Sequence, residues 1–256
     1  APYGPLVSNA VPFPAHAEEI FRGWARKHGI WLLPGSMFER VGDRVYNTAM
    51  VIDPGGNVVG YYRKMFPFRP YEEGIDGGTE FFVFDVPDAG RFGVSICYDL
   101  WFPETARTLA AMGAEVILHP TLTGTIDRDV ELAIVRATAA QNQCFVFGIN
   151  GFGDCGNGRS ISVGPAGEVM YQGQSAPEMI PMEIDFDRVR RSREIGLRGL
   201  GQQLKSFRDR QVEFSVYSPA GREWPYLKSL GPLRKPERGS RAGLSNPKEL
   251  VTETET

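Results

Sequence analysis

Residues 91–119 read strand, helix, strand, with a cysteine at the first junction. Phe92-Gly93-Val94-Ser95-Ile96 has the length and apolar content of a short buried strand. Trp101-Phe102-Pro103-Glu104 reads as the start of a helix. Proline suits the first helical turn, where its missing N–H costs nothing, and an early glutamate complements the helix dipole. Ala106, Leu109, Ala110 and Met112 continue the pattern, Gly113 closes it, and Val116-Ile117-Leu118-His119 returns as a strand. A strand–helix–strand unit pairs its strands in parallel, which confines the chain to α/β architectures. Cys97 sits at the elbow. Such an elbow lifts a side chain clear of the sheet and points backbone N–H groups at whatever that side chain attacks. The competing reading of a lone cysteine is a small, inert core residue.

The surrounding chain alternates hairpins with further units of this kind. Residues 14–27 form an amphipathic helix with Ala17, Ile20, Phe21 and Trp24 on one face, stopped at Gly29. Strands are expected at residues 30–33, 35–40, 44–52 and 58–63, with a strong turn at Asp53-Pro54-Gly55-Gly56-Asn57. Residues 64–74 break the pattern with prolines and aromatics. Such a loop either folds over a site or packs on itself. Further strands are expected at 81–86, 144–150, 159–163, 168–172 and 180–184. A helix over 129–143 should turn Val130, Ala133, Ile134 and Ala137 inward. If two sheets pack together, helices cover only one face of each, giving an α-β-β-α sandwich; an ordinary doubly wound sheet is the alternative that the pattern leaves open. From Arg188 the sequence is charged and proline-interrupted, so residues 1–187 are read as one domain and 188–256 as an extension over a neighbouring surface, with a disordered tip.

Composition and the rare residue types exclude several classes. A net charge of -3 offers no basic footprint for nucleic acid, and no apolar run is long enough to span a bilayer. The three cysteines, Cys97, Cys144 and Cys155, form no paired framework, so a reducing cytoplasm is the expected compartment. Of the three histidines, His16 and His28 lie in the first helix, and only His119, at the carboxyl edge beside the elbow, is placed to meet Cys97. It reads as a satisfied structural histidine. No HExxH or CxxC metal pattern is present. If Cys97 is a nucleophile, its base is something other than histidine.

Tyr62-Arg63-Lys64 ends a strand, Tyr71-Glu72-Glu73-Gly74 follows in the loop, and Ile96-Cys97-Tyr98-Asp99 with Phe102-Pro103-Glu104 stands at the elbow. Tyr46-Asn47-Thr48, Gly113-Ala114-Glu115 and Gly164-Pro165-Ala166-Gly167 complete a series whose order and spacing resemble the nitrilase superfamily of carbon–nitrogen hydrolases. The resemblance covers residues 14 to about 208 and implies a nitrilase-like α-β-β-α four-layer sandwich. The Lys64-to-Glu72 spacing is similar to that of the aliphatic amidase and formamidase branch.

The resemblance implies roles. Cys97 matches the nucleophile, Lys64 the lysine, and Glu72 a second glutamate that positions the amide. Lys64 and the Tyr98 backbone N–H would hold the oxyanion, while Phe68, Trp101 and Thr121 would shape the pocket. In isolation, Lys64 and Glu72 read as solvated side chains. The family's base glutamate ends an early strand that should precede Ala1, so the fold is expected to be N-terminally incomplete and residues 1–256 alone inactive. The implied reaction is hydrolysis of a small linear amide, releasing ammonia through a cysteine thioester, and it needs neither a metal nor an organic cofactor. Nitrile or N-carbamoyl-amine hydrolysis, or a non-catalytic scaffold on the same fold, are the alternatives. The partners expected are a small amide and further copies of the chain, since Leu197, Leu200, Phe207, Trp224, Tyr226 and Leu227 need a surface to cover them.

Overall fold

A computed structural model describes residues 6–233. They fall into two compact units, residues 6–67 with 74–209 and residues 68–73 with 210–233. The first unit runs α1 (His16–His28), β1 (Ser36–Val41), β2 (Arg44–Ile52), β3 (Val58–Arg63), β4 (Val83–Val86), β5 (Gly90–Val94), α2 (Pro103–Ala111), β6 (Val116–Thr121), α3 (Arg128–Asn142), β7 (Phe145–Asn150), β8 (Phe152–Gly153), β9 (Gly156–Asn157), β10 (Ile161–Val163), β11 (Val169–Gln172), α4 (Asp187–Ile195) and α5 (Gln203–Arg208). No described helix is long and apolar enough to cross a membrane.

Strands β1, β2 and β3 form an antiparallel sheet in that order. The second sheet is ordered β11-β10-β7-β6-β5-β4, parallel across β5, β6 and β7 and antiparallel towards both edges. Strand β2 shows why the sheets stack. Its side chains alternate between two apolar surroundings: Ala49 and Val51 meet Val94 and Ile96 of the second sheet, while Met50 and Ile52 meet Ala25 and Phe21 of α1. A strand buried on both faces reads as a near-continuous apolar run, as Ala49-Met50-Val51-Ile52 does. On the far side of the second sheet, Leu109 of α2 and Leu132, Val135 and Ala139 of α3 pack on Ile117, Val146 and Ile161. The layers are therefore α1, first sheet, second sheet, then α2 with α3. Helix α2 approaches its sheet at Gly93, where a Cβ would stand 3.2 Å from Leu109 and Ala114 side-chain atoms.

Three expectations are corrected. Residues 30–33 make only a single bridge, Leu32 to Ile52, because Pro34 cannot extend the ladder. Residues 180–184 form no strand. Pro181 interrupts the run, and Ile184 packs beside Phe186 and Val189 over Val116 and Phe145. Helix α3 buries Arg128, Glu131, Leu132, Val135, Thr138, Ala139 and Asn142; of the four residues expected inward, Ile134 packs on the core, while Val130 is 48% exposed and Ala133 and Ala137 face out. The apolar periodicity misleads there because an ion pair, Arg128 Nη1 to Glu131 Oε2 at 3.0 Å, turns two charged residues inward. The charged stretch after Asp187 also hides a helix. Arg190 pairs with Glu115, Arg191 with Asp185, and Arg193 donates to the Ala114 and Gln143 carbonyls, while Val189 is buried.

The second unit holds the loop segment 68–73, in which the Phe68 and Tyr71 rings stack at 5.0 Å. Beyond residue 210 it contains short 3-10 turns and α6 (Pro225–Ser229), with Tyr217, Trp224, Tyr226 and Leu230 exposed. The tip expected to be disordered, residues 252–256, lies outside the described residues.

Candidate active site

The second sheet carries Cys97 to its carboxyl edge. Beyond β5, the Ser95 N–H still bonds the Leu118 carbonyl at 3.1 Å, and the ladder then stops. Cys97 has φ of 49°, in the left-handed region that a non-glycine residue occupies only at a cost. The chain enters a 3-10 turn, Cys97–Trp101, and α2 begins only at Pro103. The elbow is thus strand, 3-10 turn and helix, not strand directly into helix. The turn is tightened by its own residues: Asp99 N–H donates to the Ile96 carbonyl at 3.1 Å, and Ile96 N–H donates to Asp99 Oδ2 at 2.9 Å. Cys97 is half-buried, packed with Met65 against Val94, Ile96 and Tyr62.

Asp99, fully buried, was not singled out by the sequence reading, although it stands within the elbow motif. Its Oδ2 also accepts the Tyr62 hydroxyl at 2.8 Å, and its Oδ1 accepts the Met65 and Phe66 N–H groups at 3.1 and 2.9 Å. One carboxylate therefore joins the end of β3, the segment after Lys64, and the residue before Cys97. Burial pushes this carboxyl up, opposed by its backbone donors, by Tyr62 and by the Lys64 ammonium. Burial and the same carboxylate push the Tyr62 phenol up as well.

Lys64 is 1% exposed, which rules out the solvated strand-end reading. Its backbone prolongs the β2–β3 pairing, with its N–H on the Asn47 carbonyl and its carbonyl taking the Gly78 N–H, each at 2.8 Å. A buried ammonium persists only among compensating groups. The charge of Lys64 is felt by Asp99 on one side and by His119 on the other. His119 is 4% exposed, with Nδ1 2.9 Å from Ser95 Oγ. Burial, Arg128 and Lys64 push its imidazole down to about 3, so it stands neutral and too weakly basic to take a thiol proton. The structural reading of His119 stands.

Further along the carboxyl edge, Thr121 ends β6 opposite Asn150 of β7 and is 9% exposed. Behind it lies a buried polar network that the sequence reading also missed. Asn150 Oδ1 accepts the Thr123 N–H at 2.8 Å, and Asn150 Nδ2 donates to the Thr123 and Gly158 carbonyls at 2.9 and 2.7 Å. Thr123 Oγ1 donates to Glu131 Oε1 at 2.9 Å, and Arg128 reaches both Glu131 and the Arg159 carbonyl. The network pins the loop between β6 and α3 to the end of β7. The available signal was the i, i+3 Arg128–Glu131 spacing at a helix start.

Aromatic rings join the same two segments. Phe66 stacks on Phe102 at 3.6 Å, and Tyr98 meets Phe102 edge-on at 5.2 Å and Trp101 at 6.1 Å. Tyr98 and Trp101 lie in the turn headed by Cys97. The first unit therefore gathers Cys97, Tyr98, Trp101, Lys64 and Thr121 about the ends of β3, β5 and β6. Phe68 and Glu72 belong to the second unit, where Glu72 Oε2 accepts the Phe68 N–H at 2.5 Å and the Phe68 carbonyl takes the Tyr71 and Glu72 N–H groups at 2.9 Å. Cys144 is fully buried and its thiol is pushed up to about 12 by burial, so it is inert core.

A half-buried thiol at a strained elbow, a buried ammonium and a shared carboxylate suit addition to a carbonyl. Comparison with known proteins agrees. The carbon-nitrogen hydrolase family model matches residues 5–194. The chain is 32% identical over 210 residues to an N-carbamoylputrescine amidase of Solanum lycopersicum, covering 72% of this chain and 69% of that protein. It is 30% identical over 184 residues to a 2-oxoglutaramate amidase of Bacillus subtilis, covering 70% and 71%. A carbon-nitrogen hydrolase from Helicobacter pylori superposes with a TM-score of 0.68 at 26% identity, over 77% of this chain and 73% of that one. An amidase from Nesterenkonia sp., solved with the acetamide moiety of fluoroacetamide on its active-site cysteine, superposes with a TM-score of 0.65 at 25% identity, over 81% and 72%. Elbow, fold and relatives converge, and the chain belongs to the carbon-nitrogen hydrolase family.

Proposed function

We propose that this protein hydrolyses the carbon–nitrogen bond of a small linear amide, releasing ammonia through a thioester on Cys97. The observation that carries the reading is the Asp99 carboxylate, which ties the segment after the buried Lys64 to the residue before Cys97. An ammonium beside a thiol favours the thiolate, the nucleophilic form. The thiolate sulfur adds to the carbonyl carbon, and the electron pair moves to oxygen. Lys64 and the Tyr98 N–H hold that oxyanion. The tetrahedral adduct collapses and the carbon–nitrogen bond breaks as nitrogen takes the proton that the Cys97 thiol gave up, carried by the carboxylate base that the match to the family implies, and leaves as ammonia. Water then adds to the thioester, and the acid and the thiol are released. Trp101 and Thr121 shape the acyl side. The roles of Glu72, holding the substrate amide nitrogen, and of Phe68, lining the pocket, rest on the match to the family alone, as does a carboxylate base, which has no match in residues 1–256.

A second reading is supported by the tomato relative, named an N-carbamoylputrescine amidase. An N-carbamoyl amine presents the same primary amide group, an amino nitrogen on a carbonyl carbon, and the same thiol and ammonium would serve. Ammonia release from acetamide, propionamide, an N-carbamoyl amine and a nitrile separates the readings. Cys97→Ser should abolish turnover and Cys144→Ser should not. Turnover retained in Cys97→Ser would overturn the thioester, and no turnover of any substrate by a chain that also carries the base carboxylate would favour a scaffold.

A further inference from the structure

Building on that reading, we infer that Asp99 is a positioning residue whose carboxylate sets the approach of the Lys64 ammonium to the Cys97 thiol. A carboxylate that merely caps a turn takes donors from that turn. Asp99 takes one, the Ile96 N–H, from its own turn. Its other donors, Tyr62 OH, Met65 N–H and Phe66 N–H, lie 37, 34 and 33 residues away in sequence. A carboxylate has room for about four donors, so Asp99 has no lone pair left for substrate or water. It is fully buried. It therefore acts through its neighbours and not on the reacting atoms.

The coupling is short on both sides. Lys64 precedes the Met65 N–H that Asp99 Oδ1 holds, and Cys97 follows the Ile96 N–H that Oδ2 holds. The two oxygens of one rigid group thus fix the backbone immediately beside each of the two reactive side chains. The phenol of Tyr62 fixes the rotation of the carboxylate, and the Phe66–Phe102 stack braces the same pair of segments. The Lys64 ammonium in turn opposes the rise that burial imposes on the Asp99 carboxyl.

Cys97 itself reports the effect, through the pH dependence of its alkylation by iodoacetamide. In that reaction the thiolate sulfur bonds to the methylene carbon and iodide leaves. The elements packed against the turn carry ionisable groups at His119 on β6, Glu104 and Arg107 on α2, and Arg128, Asp129, Glu131 and Arg136 on α3, of which Asp129 and Arg136 are exposed, while Tyr62 and Lys64 stand at the end of β3. Of these, Lys64 is the one whose backbone Asp99 helps to hold.

The experiment measures alkylation of Cys97, Cys144 and Cys155 by peptide mass spectrometry across a pH series, in the wild type and in Asp99→Asn. Asparagine keeps the shape but turns an amide N–H pair towards donors that need an acceptor. The midpoint for Cys97 should rise by about one pH unit, a roughly tenfold slower reaction below the midpoint. Cys144, fully buried, should stay protected, and half-buried Cys155 should react as before. An unchanged Cys97 profile with Cys144 protected overturns the proposal. If Cys144 in Asp99→Asn reacts as fast as Cys97, the fold has opened and Tyr62→Phe decides. That variant removes one donor and leaves the three backbone donors, and should slow Cys97 about threefold with Cys144 protected. No change there overturns the proposal too. These rates are read without turnover, so a failure of the amidase reading, seen as activity surviving Cys97→Ser, is distinguishable from a failure of this one.

Discussion

Replacing Glu131 by glutamine should destabilise the fold far more than a helix-surface change of the same size. Arg128 is 1% exposed and Glu131 8% exposed, and their charged atoms meet at 3.0 Å. The variant keeps the side-chain shape and removes the only carboxylate bonded to that guanidinium among the described residues. The remaining support is the Arg159 carbonyl on Nη2, while Arg128 Nε already lacks a partner. Two unit charges about 4 Å apart interact by about 4 kcal/mol at an effective dielectric of about 20. Stranding one member of a buried pair costs about 3–5 kcal/mol in measured cases. The glutamine oxygen can still accept one hydrogen bond, either from Arg128 or from Thr123, which places the expected loss near 3 kcal/mol. For a chain of this size that lowers Tm by about 6–12 °C. Removing both charges, as Arg128→Met with Glu131→Leu, strands no ion. It should cost only about 1–2 kcal/mol, for the orphaned Thr123 hydroxyl and Arg159 carbonyl. Urea unfolding of the wild type, Arg128→Met, Glu131→Leu and the double variant closes the cycle, with Glu131→Gln measured beside it. A loss below about 1 kcal/mol in Glu131→Gln, or a double variant that costs the sum of the singles, would refute the reasoning.

Other outcomes test the remaining chemistry. Lys64→Ala should lower kcat by about 100-fold or more, as loss of an oxyanion donor does, and a change confined to KM would make Lys64 a simple binding group. His119 is held neutral, its folded value of about 3 lying below the unfolded one. The unfolded chain therefore takes up the proton first on acidification. The stability involved is complete above about pH 6.5 and is lost from there down towards pH 3, at about 1.4 kcal/mol per pH unit. His119→Gln should flatten the pH dependence of urea unfolding over that range, and an unaltered slope would contradict the assignment. With Trp224, Tyr226 and Leu230 exposed beyond residue 210, the protein should self-associate, and a monomeric mass by light scattering at micromolar concentration would count against it.

The elbow was legible in the chain because its signals are local. A short apolar strand, a cysteine, and Pro103 with Glu104 at a helix start each act within a few residues, and they set a parallel α/β sheet with Cys97 at its edge. The two-sheet stack was not legible from pattern alone, because the unbroken apolar run Ala49-Met50-Val51-Ile52 needs cover on both faces and a doubly wound sheet would supply that too. Tertiary structure alone decided which charged residues turn inward. Lys64, Asp99, Arg128 and Glu131 read in sequence as ordinary polar positions, because the partners that make their burial tolerable are brought up by other elements. Asp99 is satisfied by donors more than thirty residues away, and Glu131 by Thr123 from the preceding loop. Periodicity counts apolar residues and cannot see such pairings, so on α3 it turned Val130, Ala133 and Ala137 inward wrongly and was right only for Ile134. The same long-range bonds that hid these residues from the sequence are the ones that hold the segments bearing Lys64 and Cys97 together.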